Sequence, residues 1–196
     1  MRWGYMYGTY ELDSMVPLGI KALVKAIYEP PQENAADGVN MLEDSNADAV
    51  DRLAAMLGMT KVGWIFLDLE PLADNSGKYV CSRRADTFFL RSNEAILAAH
   101  LQNKHPSPCK ECDDGYFGSK FVTVVVTGDD KGELGYVAYQ VTQQAMDLEK
   151  AEGILEWTSK VPAPFALTFN ECWCQSISTV VAAVAVSGLH QSKSKR

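Results

Sequence analysis

Apolar and polar positions change period several times along this chain, and each change marks an element. Arg2 to Tyr10 is rich in aromatic residues and predicts an opening strand, ended by the polar Glu11 to Ser14. Ala22 to Tyr28 predicts a second strand after the turn at Pro17, and Glu29-Pro-Pro31 stops it because proline brings no ladder donor. Gln32 to Asp44 is polar and is expected to be a loop. Ser45 followed by Asp48 has capping-box spacing, and Val50, Leu53, Ala54 and Leu57 then fall on one helical face. Gly58 stands where a helix C-cap belongs. Val62 to Leu67 is continuously apolar, the mark of a central strand covered on both faces. Glu70 to Asp86 is a mixed loop with a short strand at Tyr79 to Ser82. Ser92 has the chemistry of an N-cap for a helix from about Asn93 to Asn103, and His105-Pro-Ser-Pro108 ends it. Cys109 to Gly118 is polar and contains glycine, as loops do. The β-branched run Phe121 to Thr127, the turn Gly128 to Gly132 and the alternating Leu134 to Val141 predict a hairpin. A helix is expected over about Gln144 to Trp157. From Thr158 both periodicities fade, so 1–155 is expected as one domain and 156–196 as a divergent tail.

Composition narrows the class. With 196 residues, 47% of them hydrophobic and 22% charged, the chain can bury a core of its own. A net charge of -7 argues against nucleic-acid binding, whose affinity comes from cations set against phosphates. Five cysteines are too few and too irregular for a disulfide scaffold, which points to a reducing compartment. The first residues show no basic start with an apolar run behind it, so no signal peptide is expected. Ile177 to Leu189 is the longest strongly apolar run. It falls short of the roughly 18–20 residues that span a bilayer, so no membrane insertion is expected. The expectation is a soluble, intracellular protein.

Several segments carry a resemblance: Trp3-Gly-Tyr-Met-Tyr-Gly8, Val16-Pro-Leu-Gly-Ile20, Ala26-Ile-Tyr-Glu-Pro-Pro-Gln32, Lys61-Val-Gly-Trp-Ile-Phe66, Leu101-Gln-Asn-Lys-His-Pro106, Gly118-Ser-Lys-Phe-Val-Thr-Val124 and Tyr139-Gln-Val141. In order and spacing they resemble the MPN domain of the Npl-four family from residue 1 to about 150. The resemblance implies an α/β fold, an MPN/JAB-like mixed β-sheet flanked by helices. It also implies binding of ubiquitin or polyubiquitin without cleavage. Family members work with a ubiquitin-fusion-degradation partner and the valosin-containing-protein type AAA unfoldase, on clients that include those drawn from the endoplasmic reticulum. That implies a cytoplasmic and nuclear location, extending to the cytosolic face of that organelle. The family's N-terminal ubiquitin-like domain, zinc-finger loops and C-terminal domain have no counterpart in these residues. The chain is therefore expected to keep part of the ubiquitin-binding surface without the anchor to the unfoldase.

The active relatives of this fold, zinc isopeptidases of the JAMM/MPN class, carry Gly-Trp-x-His-x-His-Pro where this chain has Gly63-Trp-Ile-Phe-Leu-Asp-Leu69. The general-base Glu falls on Met1, the two His on Phe66 and Asp68, and the Ser-x-x-Asp on Ser92 and Ala95. A phenyl ring has no lone pair for a metal, and one carboxylate does not replace two imidazoles. Hence no catalytic residue and no cofactor is expected. Asp68 is expected to be solvated at a strand end, and Ser92 to serve only as a cap. His100, His105, Cys109 and Cys112 are a second group with zinc chemistry, set against the plainer reading of free thiols in a loop, and Cys172-Trp-Cys174 is a weaker one because of its spacing. Trp64, Phe66, Phe88 and Phe89 are expected in the core. Tyr116 and Phe117, in a loop flanked by glycines, are candidates for binding a partner or for packing down. Two rivals to the non-catalytic ubiquitin receptor remain. One is a structural partner that pairs with another MPN protein without ubiquitin, and the other a divergent zinc metallopeptidase.

Overall fold

The computed structural model describes residues 1–151, apart from 15, 18, 36–37, 75 and 85–86, together with the backbone of 181–183. Ten strands and three helices follow one another in the described residues: β1 (Trp3–Leu12), β2 (Ile20–Tyr28), β3 (Gln32–Ala35), β4 (Gly38–Met41), α1 (Ala47–Met56), β5 (Thr60–Leu67), α2 (Ser92–Lys104), β6 (Pro106–Pro108), β7 (Tyr116–Ser119), β8 (Val122–Gly128), β9 (Leu134–Val141), α3 (Gln143–Lys150) and β10 (Val181–Ala183). The main sheet runs in the order β10-β9-β8-β5-β1-β2. Its one parallel pairing is β5 with β8, and its other neighbours are antiparallel. Two parallel strands need a long crossover, and α2 lies within it. The fold is α/β, a curled mixed sheet with three helices.

β8 is buried at all seven positions because it has a strand on each side and cover on each face. On one face α2 sets Leu97 and Leu101 against Trp3, Trp64, Phe66, Phe121, Val125 and Tyr139. On the other face, Met6, Val62, Val122, Val124 and Ala138 pack with Tyr10, Ala22, Val24 and Ile65, all of them sheet residues. Among the described residues no helix contributes a side chain to that cluster. A bulge assists: Met6 pairs with Gly63 and Tyr7 with Lys61, so Val62 is the extra residue and joins the face of Ile65. A third cluster joins Ala98 and Ala99 of α2 to Val141, Ala145 and Met146. There the buried Gln102 donates to the Val141 carbonyl at 3.1 Å and accepts from its N–H at 2.8 Å, satisfying the end of β9.

Several expectations need correction. Gln32 to Asp44 is no loop, for Gln32–Ala35 pairs antiparallel with Gly38–Met41. The Gln32 side chain brackets Trp3, accepting from its N–H at 3.0 Å and donating to its carbonyl at 2.8 Å. Gln32 thereby ties the hairpin to the sheet, and Val39 of β4 is buried in the core with Met41 packed against it. α1 has no Ser45 capping box: its N-cap is Asn46, without a side-chain cap bond. Its apolar stripe is only partly used. Ala54 is buried, while Leu53 is 57% exposed, Met56 84% and Leu57 65%. Polar bonds fasten the helix instead, since Tyr7 donates to Asp51 at 2.6 Å and Lys61 pairs with Asp51 at 3.1 Å. The expected strand at Tyr79 to Ser82 is a single bridge, Pro71 with Tyr79. Cys109 to Gly118 is the turn and return strand of the β6–β7 hairpin. α3 ends at Lys150, and the rest of the helix expected to Trp157 lies outside the described residues, as does the tail except 181–183.

Candidate functional site

Strand β5 carries Phe66 into the core and delivers Asp68 just past its end. The Asp68 N–H still donates to the Val126 carbonyl at 2.9 Å, so the parallel ladder fixes where the carboxylate emerges. Asp68 is not solvated as expected. Its side chain is mostly covered, and it accepts from Arg83 Nε at 2.9 Å and from Nη2 at 2.7 Å. Arg83 arrives on a turn pinned by Thr87, whose hydroxyl donates to the Ser82 carbonyl at 2.7 Å and accepts from the Arg84 N–H at 3.0 Å. The guanidinium also donates to Glu94 twice, at 2.8 and 2.7 Å, and to the Phe89 carbonyl at 2.8 Å. All five of its N–H groups are used. Burial alone would weaken its proton affinity, but the bonds and charges of Glu94 and Asp68 outweigh that and hold it above the usual arginine range. Arg91, half exposed and 3.8 Å from Asp68, balances the cluster at two charges of each sign.

The positions aligned with the hydrolase motif thus divide in two. Met1, Phe66 and Ala95 belong to one apolar cluster with Trp3 and Trp64. Phe66 stacks on Trp64 at 4.8 Å, and the guanidinium carbon of Arg83 lies 5.3 Å from the Phe66 ring centre. Asp68 is committed to Arg83. Ser92 is exposed at the first position of α2 rather than capping it. The N-cap is Arg91, whose N–H donates to Glu94 at 2.8 Å. Local sequence could not find Arg83 and Glu94, because they meet Asp68 only when a long irregular segment folds back. The one local signal was an acidic residue in the first turn of α2.

The second group does not assemble. His100 Nδ1 lies 2.7 Å from Glu149, between α2 and α3. His105 stacks on Phe121 at 4.6 Å, and burial, aided by Lys61, pushes its pKa down. Among the described residues no three His, Cys, Asp or Glu side chains converge in a way that could hold a metal. Cys109 and Cys112 stay together at the tip of the β6–β7 hairpin. Beside them Tyr116 and Phe117 stand 55% and 65% exposed, so these aromatics do not pack down. Phe66 and Trp64 are buried in the core as expected and Phe89 packs against it, whereas Phe88 is only half-buried and lies outside the core clusters.

A family model described as the NPL4 family matches residues 2–171. The chain belongs to the NPL4 family. It is 48% identical over 153 residues to the nuclear protein localization protein 4 homolog of Homo sapiens, a match covering 78% of this chain and 25% of that protein. It is 48% identical over 147 residues to the homolog of Drosophila melanogaster, covering 75% of this chain and 22% of that protein. To nuclear protein localization protein 4 of Saccharomyces cerevisiae it is 44% identical over 156 residues, covering 78% and 27%. The chain spans about a quarter of the length of these curated relatives. No helix among the described residues of this NPL4 family member is long and apolar enough to cross a membrane.

Proposed function

We propose that this chain is a non-catalytic ubiquitin-binding module of the NPL4 type. In this reading residues 1–155 form the MPN-like body. The module receives polyubiquitylated clients for a valosin-containing-protein type AAA unfoldase, together with a ubiquitin-fusion-degradation partner. Its place is the cytoplasm and nucleus, including the cytosolic face of the endoplasmic reticulum. The observation that carries the non-catalytic half is the Arg83 guanidinium. It sits between Asp68 and Glu94, so the one carboxylate among the positions aligned with the hydrolase ligands is already committed to a cation. The other aligned positions, Met1, Phe66 and Ala95, lie in the apolar cluster and carry neither carboxylate nor imidazole.

The binding half is supported by the aromatic pair Tyr116 and Phe117, presented on a short, hydrogen-bonded hairpin. Exposed rings on a fixed scaffold contribute contact area at small entropic cost. Immobilised polyubiquitin incubated with the chain is expected to be retained at full length when bound and unbound fractions are compared on one gel. Shortened chains would sink the non-catalytic reading, and full-length chains without retention would sink the binding. Replacing Tyr116 and Phe117 together by Ala is expected to weaken retention roughly tenfold, about 1.4 kcal/mol, with the melting temperature unchanged.

A second reading, a structural partner for another MPN-fold chain, is favoured by the exposed Leu53, Met56 and Leu57 of α1. A defined complex formed without ubiquitin, and lost on substituting those residues with Ser, would favour it.

A further inference from the structure

The β6–β7 hairpin turns through Cys109-Lys-Glu-Cys-Asp-Asp-Gly115. The Cys109 N–H donates to the Gly115 carbonyl at 2.9 Å and the Gly115 N–H to the Cys112 carbonyl at 2.9 Å, so the turn is held from both sides. Gly115 has φ +73°, a conformation a side chain would strain, and this left-handed step closes the turn. The result is a pair of free thiols with their sulfurs 3.4 Å apart, both partly open to solvent. A disulfide bond is about 2.0 Å long, so the two sulfurs need to close by little more than an ångström.

From this geometry we propose that Cys109 and Cys112 form a reversible dithiol–disulfide site, oxidised by exchange with a low-molecular-weight disulfide. The two thiols are not equivalent. The Cys112 S–H donates to Cys109, and the N–H groups of Glu111 and Cys112 donate there too, which together hold the Cys109 thiol below the usual range. The same bond holds Cys112 above it. Cys109 is therefore the attacking sulfur and Cys112 the resolving one. The Cys109 thiolate attacks one sulfur of the small disulfide and expels the other as a thiolate, leaving a mixed disulfide. Cys112 then loses its proton, attacks the Cys109 sulfur and expels the second small thiolate. The two cysteines lose two electrons and two protons, and the small disulfide is reduced to two thiols. A metal is the poorer occupant, because the pair finds no third ligand among the described residues.

The test uses the whole chain in glutathione buffers of graded oxidised-to-reduced ratio, quenched with acid, alkylated and mapped by mass. In oxidising buffer the peptide holding Cys109 and Cys112 is expected to be unalkylated and lighter by two hydrogen atoms, and to return to two alkyl groups with excess thiol. Cys112→Ser is expected to accumulate a glutathione adduct on Cys109, at least about fivefold more than Cys109→Ser accumulates on Cys112. In urea the equilibrium for the internal bond is expected to fall at least about fivefold, because the hairpin no longer holds the sulfurs together. Alkylation of both cysteines at every ratio would overturn the proposal. So would a bond from Cys109 to any other cysteine, or an equilibrium unchanged in urea.

Discussion

At the scale of single residues, Arg83 is the group on which most others depend. A guanidinium with every N–H bonded and carboxylates on two sides is stable where it is, but removing it leaves Asp68 and Glu94 as like charges in a poorly solvated place. Arg83→Met is expected to cost about 3–5 kcal/mol in urea unfolding. Adding Glu94→Gln to that variant is expected to restore part of the loss, because one stranded charge is removed; a further loss instead would mean that Glu94 stabilises α2 independently of Arg83. The apolar half of this site was legible in the residues themselves, since Phe66 and Ala95 have no side-chain lone pair for a metal and Met1 has no carboxylate to act as a base. The ionic half was not. Asp68, Arg83 and Glu94 lie 15 and 11 residues apart in sequence, and nothing in the mixed loop between β5 and α2 marks Arg83 above its neighbour Arg84. Only one of those two arginines is buried.

At the scale of elements, the two glycines around β5 differ in why they are glycine. Gly58 follows α1 with φ +70°, where its N–H reaches the Ala55 carbonyl and the Met59 N–H reaches that of Ala54, a Schellman ending. Gly63 sits inside β5, where a Cβ would stand 2.3 Å from the Val122 carbonyl oxygen and 2.6 Å from the Met6 methyl. Gly58→Ala is expected to cost about 1 kcal/mol, the price of the left-handed conformation alone. Gly63→Ala is expected to cost more than about 3 kcal/mol, because β8 must move away from β5. Thermal and urea unfolding of the two variants checks the order, and equal losses would contradict it. Sequence pattern was reliable for β1, β5, β8 and β9, where apolar runs are long. It failed for the hairpins β3–β4 and β6–β7, whose four-residue and shorter strands are too brief to show a period.

For the whole molecule, burial of tyrosines links the fold to alkaline pH. Burial holds Tyr5, Tyr7 and Tyr139 above the ordinary phenol value, and it pushes Tyr10 up to about 12 from 10.0. The unfolded chain then loses these protons at lower pH than the folded one. Stability is therefore undiminished below pH 10.0 and falls as pH rises toward about 12. Melting temperatures measured across that interval are expected to drop, and Tyr10→Phe to lessen the slope. A flat profile would mean that the rings are solvated in solution.

Strands β1, β2, β5, β8 and β9, the central place of β5 and the loss of zinc ligands could be read along the chain, because side-chain periodicity and ligand chemistry are local properties. Folding determined the rest: that Leu53 and Leu57 of an amphipathic helix stay exposed, that Asp68 finds Arg83, and that Cys109 and Cys112 touch while His100 and His105 turn elsewhere. A periodic pattern states which face of an element is apolar, but whether that face is covered depends on what distant segments bring to it. Likewise a charge shows its partner only after packing has excluded the water that would otherwise solvate it.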